Sequence, residues 1–209
     1  MTARRITALV PEPQGAGSIR IEVDGARFGS LPPEVVREEQ LRVGSELDDA
    51  LLGRLAGLAE VEATYRTALR AVERRSFARA DLGRRLRRKG HAPEAIELAL
   101  GRLVERGFLD DAAFAANFVE TRAARGRCPL RLARDLAAMG VERSVIDRAL
   151  AAHGASADTA GDVPRALAAK RAAQLDDLPR HVRRRRVLAY LARRGFSGRE
   201  VTEMVGKLL

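Results

Sequence analysis

Three glycines, Gly90, Gly140 and Gly195, sit in one repeated frame, and that frame constrains the fold more than any other feature of the chain. Four residues before each stand Leu86, Leu136 and Leu191, and eight before stand Leu82, Leu132 and Val187. Six residues after come Ile96, Ile146 and Val201, and ten after come Leu100, Leu150 and Val205. The frame needs no gap. Side chains four apart are neighbours on one helical face, and a glycine accepts the left-handed turn that ends a helix. Each copy therefore reads as a helix, a glycine turn and a second helix.

A third helix precedes each pair. It carries Tyr65, Leu69 and Val72 in the first copy and Ala166, Leu167 and Ala173 in the third. In the second it begins at Asp110 or Asp111, after Gly107, with Phe114 and Phe118 as its apolar stripe. The expected fold is mainly α: three tandem three-helix repeats in an elongated curved array, preceded by a small N-terminal β-hairpin region. Such thin units stabilise one another by stacking. The expected divisions are 1–60 for the hairpin and a helix, 61–109 and 110–153 for the first two repeats, and 154–209 for a linker and the third. Ser156, Thr159 and Gly161 mark the linker, between Gly154 and Val163.

The first third follows a different period. Ile19, Ile21 and Val23 alternate with Arg20, Glu22 and Asp24, as in a half-buried strand. Asp24-Gly25 suits a tight hairpin before Ala26, Arg27 and Phe28, and Ile6, Ala8 and Val10 supply a third short strand. Pro32-Pro33 stops this region. Ser45, Asp48 and then Leu51, Leu52, Leu55 and Leu58 read as a capped amphipathic helix. A hairpin this small needs neighbouring helices to dock on.

Charge is unevenly spread. Residues 1–60 hold 7 basic and 10 acidic side chains, net −3; residues 61–209 hold 31 basic and 18 acidic, net +13. So basic a region attracts polyanions, either nucleic acid or an acidic protein surface. Only Lys89, Lys170 and Lys207 are lysines, and an arginine-, alanine- and glycine-rich chain also arises from GC-rich codon usage alone. One cysteine, Cys128, allows no internal disulfide and fits a reducing compartment. Without a signal-peptide run after Met1 or a membrane span, the expected location is the cytoplasm.

No catalytic constellation is spelled out. His91, His153 and His181 lie one per repeat without a second ligand at helical spacing, so solvent-facing or capping roles are expected. Cys128 precedes Pro129 at a helix start and has no nearby base or resolving cysteine. Asp48-Asp49, Asp110-Asp111 and Asp176-Asp177 lie at or near helix starts, where carboxylates satisfy orphan amides. Phosphate-binding glycine loops and nucleophile elbows are absent from the sequence, and no cofactor or metal is implied.

The arginines gather on the helix before each glycine turn. The first such helix carries Arg79, Arg84, Arg85, Arg87, Arg88 and Lys89; the second carries Arg127, Arg131 and Arg134. The third carries Arg183 to Arg186, then Arg193 and Arg194. By contrast, the helix after Gly90 carries Glu94, Glu97 and Glu105, with Arg102 as counterweight. A helix–turn–helix reader would place that second helix in the major groove, which its acidity disfavours. Charge spread over three repeats suits docking along an extended filament or backbone instead. The few aromatics argue against base stacking.

The run Tyr65-Arg-Thr-Ala-Leu69, Ser76, Leu82, Leu86, Arg88-Lys89-Gly90 resembles RecX, the family that regulates the bacterial recombinase RecA. So do Gly107-Phe108-Leu109-Asp110-Asp111, Phe114-Ala115, Arg122 and Gly140-Val141, and "LARRGFSGREV" near the end. The resemblance covers about residues 61–209 and is most specific over 65–150. It implies a non-catalytic modulator that binds RecA filaments on DNA in their helical groove and inhibits ATP hydrolysis, strand exchange and co-protease activity. Recombination, repair and the SOS response are the implied setting. Three units in a curved row would span successive RecA protomers. The residues expected at the RecA or DNA surface are Arg84, Arg85, Arg88, Lys89, Arg131, Arg134, Arg183, Arg184, Arg193 and Arg194, with the first and third repeats carrying most of the docking. The DNA contact is expected to be sequence-nonspecific, single-stranded or duplex, and the protein a monomer without a membrane partner. Two other classes stand beside this one: a DNA-binding protein independent of RecA, and a basic helical adaptor for an unrelated acidic protein.

Overall fold

A computed structural model describes residues 4–12, 17–156 and 163–209. The chain divides into two compact units, Met1–Asp110 and Asp111–Leu209.

The first unit opens with the expected hairpin and third strand, extended by a fourth strand into one antiparallel sheet. β1 (Arg4–Pro11), β2 (Ile19–Val23), β3 (Ala26–Leu31) and β4 (Glu46–Leu47) lie in the order β3-β2-β1-β4. The turn between β2 and β3 is the expected one, with Asp24 and Gly25 at φ 51° and 76°. α1 (Pro33–Glu38) follows Pro32, so the two prolines end the strand and start a short helix. The two-residue β4, which pairs Arg4 with Leu47 and Arg5 with Glu46, is too short to leave a periodic signal.

α2 (Asp49–Val72) changes the expected organisation. Asp48 caps it, its carboxylate accepting from the Leu51 amide at 2.7 Å. The helix then runs unbroken past residue 60, so the capped helix and the one bearing Tyr65 and Leu69 are a single element. No proline or turn sequence interrupts it between Leu58 and Tyr65. Its first half packs Leu52 and Leu55 under the sheet, against Ile6, Ile21, Leu31 and Leu47. Its second half gives Tyr65, Ala68 and Leu69 to the first repeat, completed by α3 (Arg79–Arg88) and α4 (Pro93–Glu105).

One buried carboxylate is shared by the two halves. Glu62 on α2 is 1% exposed and accepts from Ser18 Oγ at 2.5 Å and from Arg102 of α4 at 2.8 Å. Arg102 also covers the Tyr65 ring, 4.0 Å from its centre. The Arg102 read as a charge counterweight thus faces a buried carboxylate.

The second unit holds the other two repeats: α5 (Asp111–Ala123), α6 (Pro129–Met139) and α7 (Arg143–Ser156), then α8 (Val163–Ala173), α9 (Arg180–Arg193) and α10 (Arg199–Leu208). α7 continues through Gly154, and the rest of the expected linker, Ala157–Asp162, lies outside the described residues. Of the twelve framed apolar positions, all but Leu150 and Val201 are buried, and those two are half-buried. Gly90, Gly140 and Gly195 have φ of 88°, 85° and 92°, the left-handed turn their spacing called for.

The leading helices are phased differently from expectation. α5 buries Ala115 and Val119, whereas Phe114 and Phe118 stack on each other, ring centres 6.1 Å apart, at its half-exposed edge. α8 buries Ala168 and Ala172; Ala166 and Ala173 are exposed. In both helices small side chains face the core, so the bulkier residues mark the flank and mislead a reading by size.

The two repeats of this unit are joined closely. The Cys128 amide donates to the Arg194 carbonyl at 3.0 Å, and Cys128 itself is 6% exposed. A Cβ on Gly195 would lie 2.5 Å from Cys128 Sγ and 2.8 Å from Arg131 Cβ. Gly195 therefore serves twice, as helix terminator and as the point of closest approach.

Candidate polyanion-binding surface

Carboxylate partners sort the arginines. In the second repeat Asp135 takes up both Arg127 and Arg131, the latter at 3.1 Å, while Arg134 is exposed without a carboxylate partner among the described residues. In the third, Arg183 is only 19% exposed and turns onto Asp176. Arg194 is half-buried, its guanidinium 3.7 Å from the centre of the Tyr190 ring. Arg184 and Arg193 face solvent. In the first repeat Arg84 pairs with Asp81 at 3.1 Å, whereas Arg85, Arg88 and Lys89 are exposed.

Those cations near the end of α3 are placed by its own sequence. Leu82 and Leu86 turn inward, 0% and 1% exposed, so the basic residues between and after them fall on the outside and in the last turn. Cations there also offset the negative end of the helix dipole. That local benefit accounts for basic residues at the end of α3, but not for what faces them across the groove.

Arg85 and Lys89 line a groove of about 460 Å3 between α3 and the end of α2. Its other wall carries Arg70 on α2, then Arg74 and Arg75 in the turn that follows. Arg75 lies flat on Phe77, 3.7 Å from the ring centre, with Arg85 at 5.9 Å from the same ring. Among the described residues no carboxylate lines the groove. Asp81 approaches from outside, 4.0 Å from Arg75, while Arg70, Arg74, Arg85 and Lys89 have no carboxylate partner among the described residues. The structure thus brings Arg85 and Lys89 together with three arginines that the helix-by-helix reading passed over. The signal was present in the spacing of Arg70 and Arg74, one helical turn apart and off the Tyr65–Leu69 face.

The titratable groups nearby are ordinary in role. His91 is half-buried rather than solvent-facing, with Nδ1 2.9 Å from Thr64 Oγ1. Burial and then the charge of Lys89 push its pKa below the usual histidine range, with Glu60 pulling the other way. His153 is half-buried and His181 exposed. Among the described residues no three His, Cys, Asp or Glu side chains gather as a metal site, and no helix is long and apolar enough to cross a membrane.

Residues 110–150, which form α5, α6 and most of α7, match the family description "RecX, second three-helix domain". Over 95 residues the chain is 42% identical to the regulatory protein RecX of Pseudomonas fluorescens Pf-5, which covers 46% of this chain and 61% of that one, so the match spans about three-fifths of that relative. With the regulatory protein RecX of Pseudomonas entomophila it shares 36% over 147 residues, covering 70% of this chain and 90% of the relative. A crystal structure of regulatory protein RecX superposes with a TM-score of 0.71 at 23% identity, over 98% of this chain and 99% of that one. RecX from Lactobacillus salivarius gives 0.55 at 18%, over 71% and 96%. At those identities the superpositions speak for the fold alone. With a matching domain and a relative aligned over nine-tenths of its length, this chain belongs to the RecX family of regulatory proteins.

Proposed function

We propose that the protein is a non-catalytic modulator of RecA that binds the RecA–DNA filament, in its helical groove, and suppresses ATP hydrolysis, strand exchange and co-protease activity. Membership of the RecX family supports the regulatory role. The observation that carries the docking mode is the cationic end of α3, where Arg85, Arg88 and Lys89 stand exposed without carboxylate partners among the described residues. Such a surface attracts a polyanion from a distance and holds it without reading bases. DNA is the second partner in this reading, single-stranded or duplex and without sequence preference. The protein acts as a monomer in the cytoplasm and needs no cofactor.

The test is the ATPase rate of the host's RecA on single-stranded DNA, titrated with this protein. Strong inhibition well below one copy per RecA is expected, and it would point to capping or disruption of filaments. No inhibition at stoichiometric excess of folded protein would refute the reading and leave a basic helical adaptor or a DNA-binding protein independent of RecA.

A further inference from the structure

We infer that the groove between α2 and α3, bounded by Arg70, Arg74, Arg75, Arg85 and Lys89, is the site that takes the phosphodiester backbone of a nucleic acid strand. This rests on the filament reading above and deepens it, because a filament offers both protein and DNA and the groove is here assigned to the DNA.

Three observations favour phosphate over an acidic protein surface. First, five cations line a space of about 460 Å3 whose walls, among the described residues, hold no carboxylate. Protein surfaces intersperse their acids with bases, whereas a nucleic acid presents one negative charge per phosphate at close, regular spacing and gains from the release of its counterions. Second, four of the five are arginines, whose planar forks match phosphate oxygens in pairs. Third, Arg75 is held flat by Phe77, so part of the site is arranged before the ligand arrives. Elsewhere the compensation differs: Asp135 occupies Arg127 and Arg131, and Asp176 occupies Arg183.

The same geometry sets the selectivity. Phe77 is 5% exposed beneath Arg75, so the groove has no free aromatic face on which a base could stack. Binding through it reads the backbone alone, and oligonucleotides of thymidine or of mixed sequence are held alike.

The experiment is fluorescence anisotropy of a labelled single-stranded oligonucleotide with the full-length chain, without RecA, across a range of salt. One variant carries Arg70→Gln, Arg74→Gln, Arg85→Gln and Lys89→Gln, all exposed positions. A second removes the same charge elsewhere through Arg42→Gln, Arg125→Gln, Arg148→Gln and Arg165→Gln, also exposed. The groove variant is expected to lose affinity on the order of tenfold or more and to flatten the log–log salt slope by about 2 to 3. The scattered variant should stay within about threefold of the parent. Should the groove variant fold poorly by circular dichroism, Arg74→Gln with Lys89→Gln gives the same comparison at about half the change in slope. Equal losses in both variants would mean that binding follows net charge, and parental binding by the groove variant would empty the groove of DNA; either overturns the assignment. So does a groove variant that keeps its DNA affinity but no longer binds RecA filaments, which would make the groove a protein contact. Because RecA is absent from the anisotropy measurement, failure of the ATPase test leaves this result standing on its own.

Discussion

Removing Arg102 should cost more than any other single loss of charge in the first unit. Its partner Glu62 is 1% exposed and, among the described residues, accepts side-chain hydrogen bonds from Ser18 and Arg102. Arg102→Met keeps an apolar stem against Tyr65 but leaves a buried carboxylate without its cation. Breaking a buried pair in this way costs about 3–5 kcal/mol, and the low end applies because the Arg102 side chain is 25% exposed. Loss of the cation over the Tyr65 ring adds about 0.5–1 kcal/mol. A fall of about 3–4 kcal/mol is therefore expected, roughly 10 °C or more in the melting of a unit this size. Glu62→Gln, which keeps the volume and a hydrogen-bonding amide, should cost about 1–2 kcal/mol. Once Glu62 is uncharged, Arg102→Met has no buried anion to strand, so the double variant should cost far less than the sum of the singles. Urea denaturation followed by circular dichroism on all four proteins gives this coupling directly, and about 2 kcal/mol is expected. A coupling below about 0.5 kcal/mol would refute the claim that this buried pair fastens α4 to α2.

Three other outcomes test separate parts of the structure. Gly195→Ala should destabilise the second unit by about 2 kcal/mol or more, since its φ is 92° and the new methyl meets Cys128 and Arg131; Cys128 should then react faster with a thiol reagent, and unchanged labelling would deny the close joint. Burial first, and then Lys89, lower the His91 pKa in the folded protein, so the unfolded chain binds that proton more readily. Stability should accordingly decline as pH falls below the unfolded histidine value of about 6.5 and level off beneath the folded one, and His91→Gln should flatten that limb of the curve. Charge reversal at Arg84, Arg85, Arg88 and Lys89 together should weaken filament binding and flatten its dependence on salt; unchanged affinity would remove these residues from the interface.

How much was legible depends on how local each feature is. The glycine frame is local: a left-handed glycine, with apolar residues four and eight before it and six and ten after, specifies two helices and their inward faces within about twenty residues. Accordingly Leu82, Leu132, Val187, Leu86, Leu136 and Leu191 are all essentially buried. The Asp24-Gly25 turn is local in the same sense. What escaped was set at longer range. β4 exists because Arg4 and Arg5 find Glu46 and Leu47 some forty residues on. α2 continues past residue 60 because two different cores claim its two halves, which shifts the apolar phase without breaking the helix. α5 and α8 bury alanines because close packing favours small side chains there, a preference that no count of large apolar residues reveals.

The surface chemistry follows the same logic one level further out. Arg84, Arg85, Arg131 and Arg183 look alike in the sequence, each on a helix before a glycine turn. Their difference lies in which carboxylates the fold delivers to them: Asp81 for Arg84, Asp135 for Arg131, Asp176 for Arg183 and, among the described residues, none for Arg85. A guanidinium already held by a carboxylate must give up that partner before it can take a phosphate, so the gain from the new contact is reduced by the loss of the old. Arg85 and Lys89 lose no such partner, and α2 brings Arg70 and Arg74 to the same groove. The three repeats thus share a scaffold without sharing a surface. A chain whose net charge is +10 can differ from repeat to repeat in the cations it presents, because arginines such as Arg127, Arg131 and Arg183 are engaged by the protein's own carboxylates.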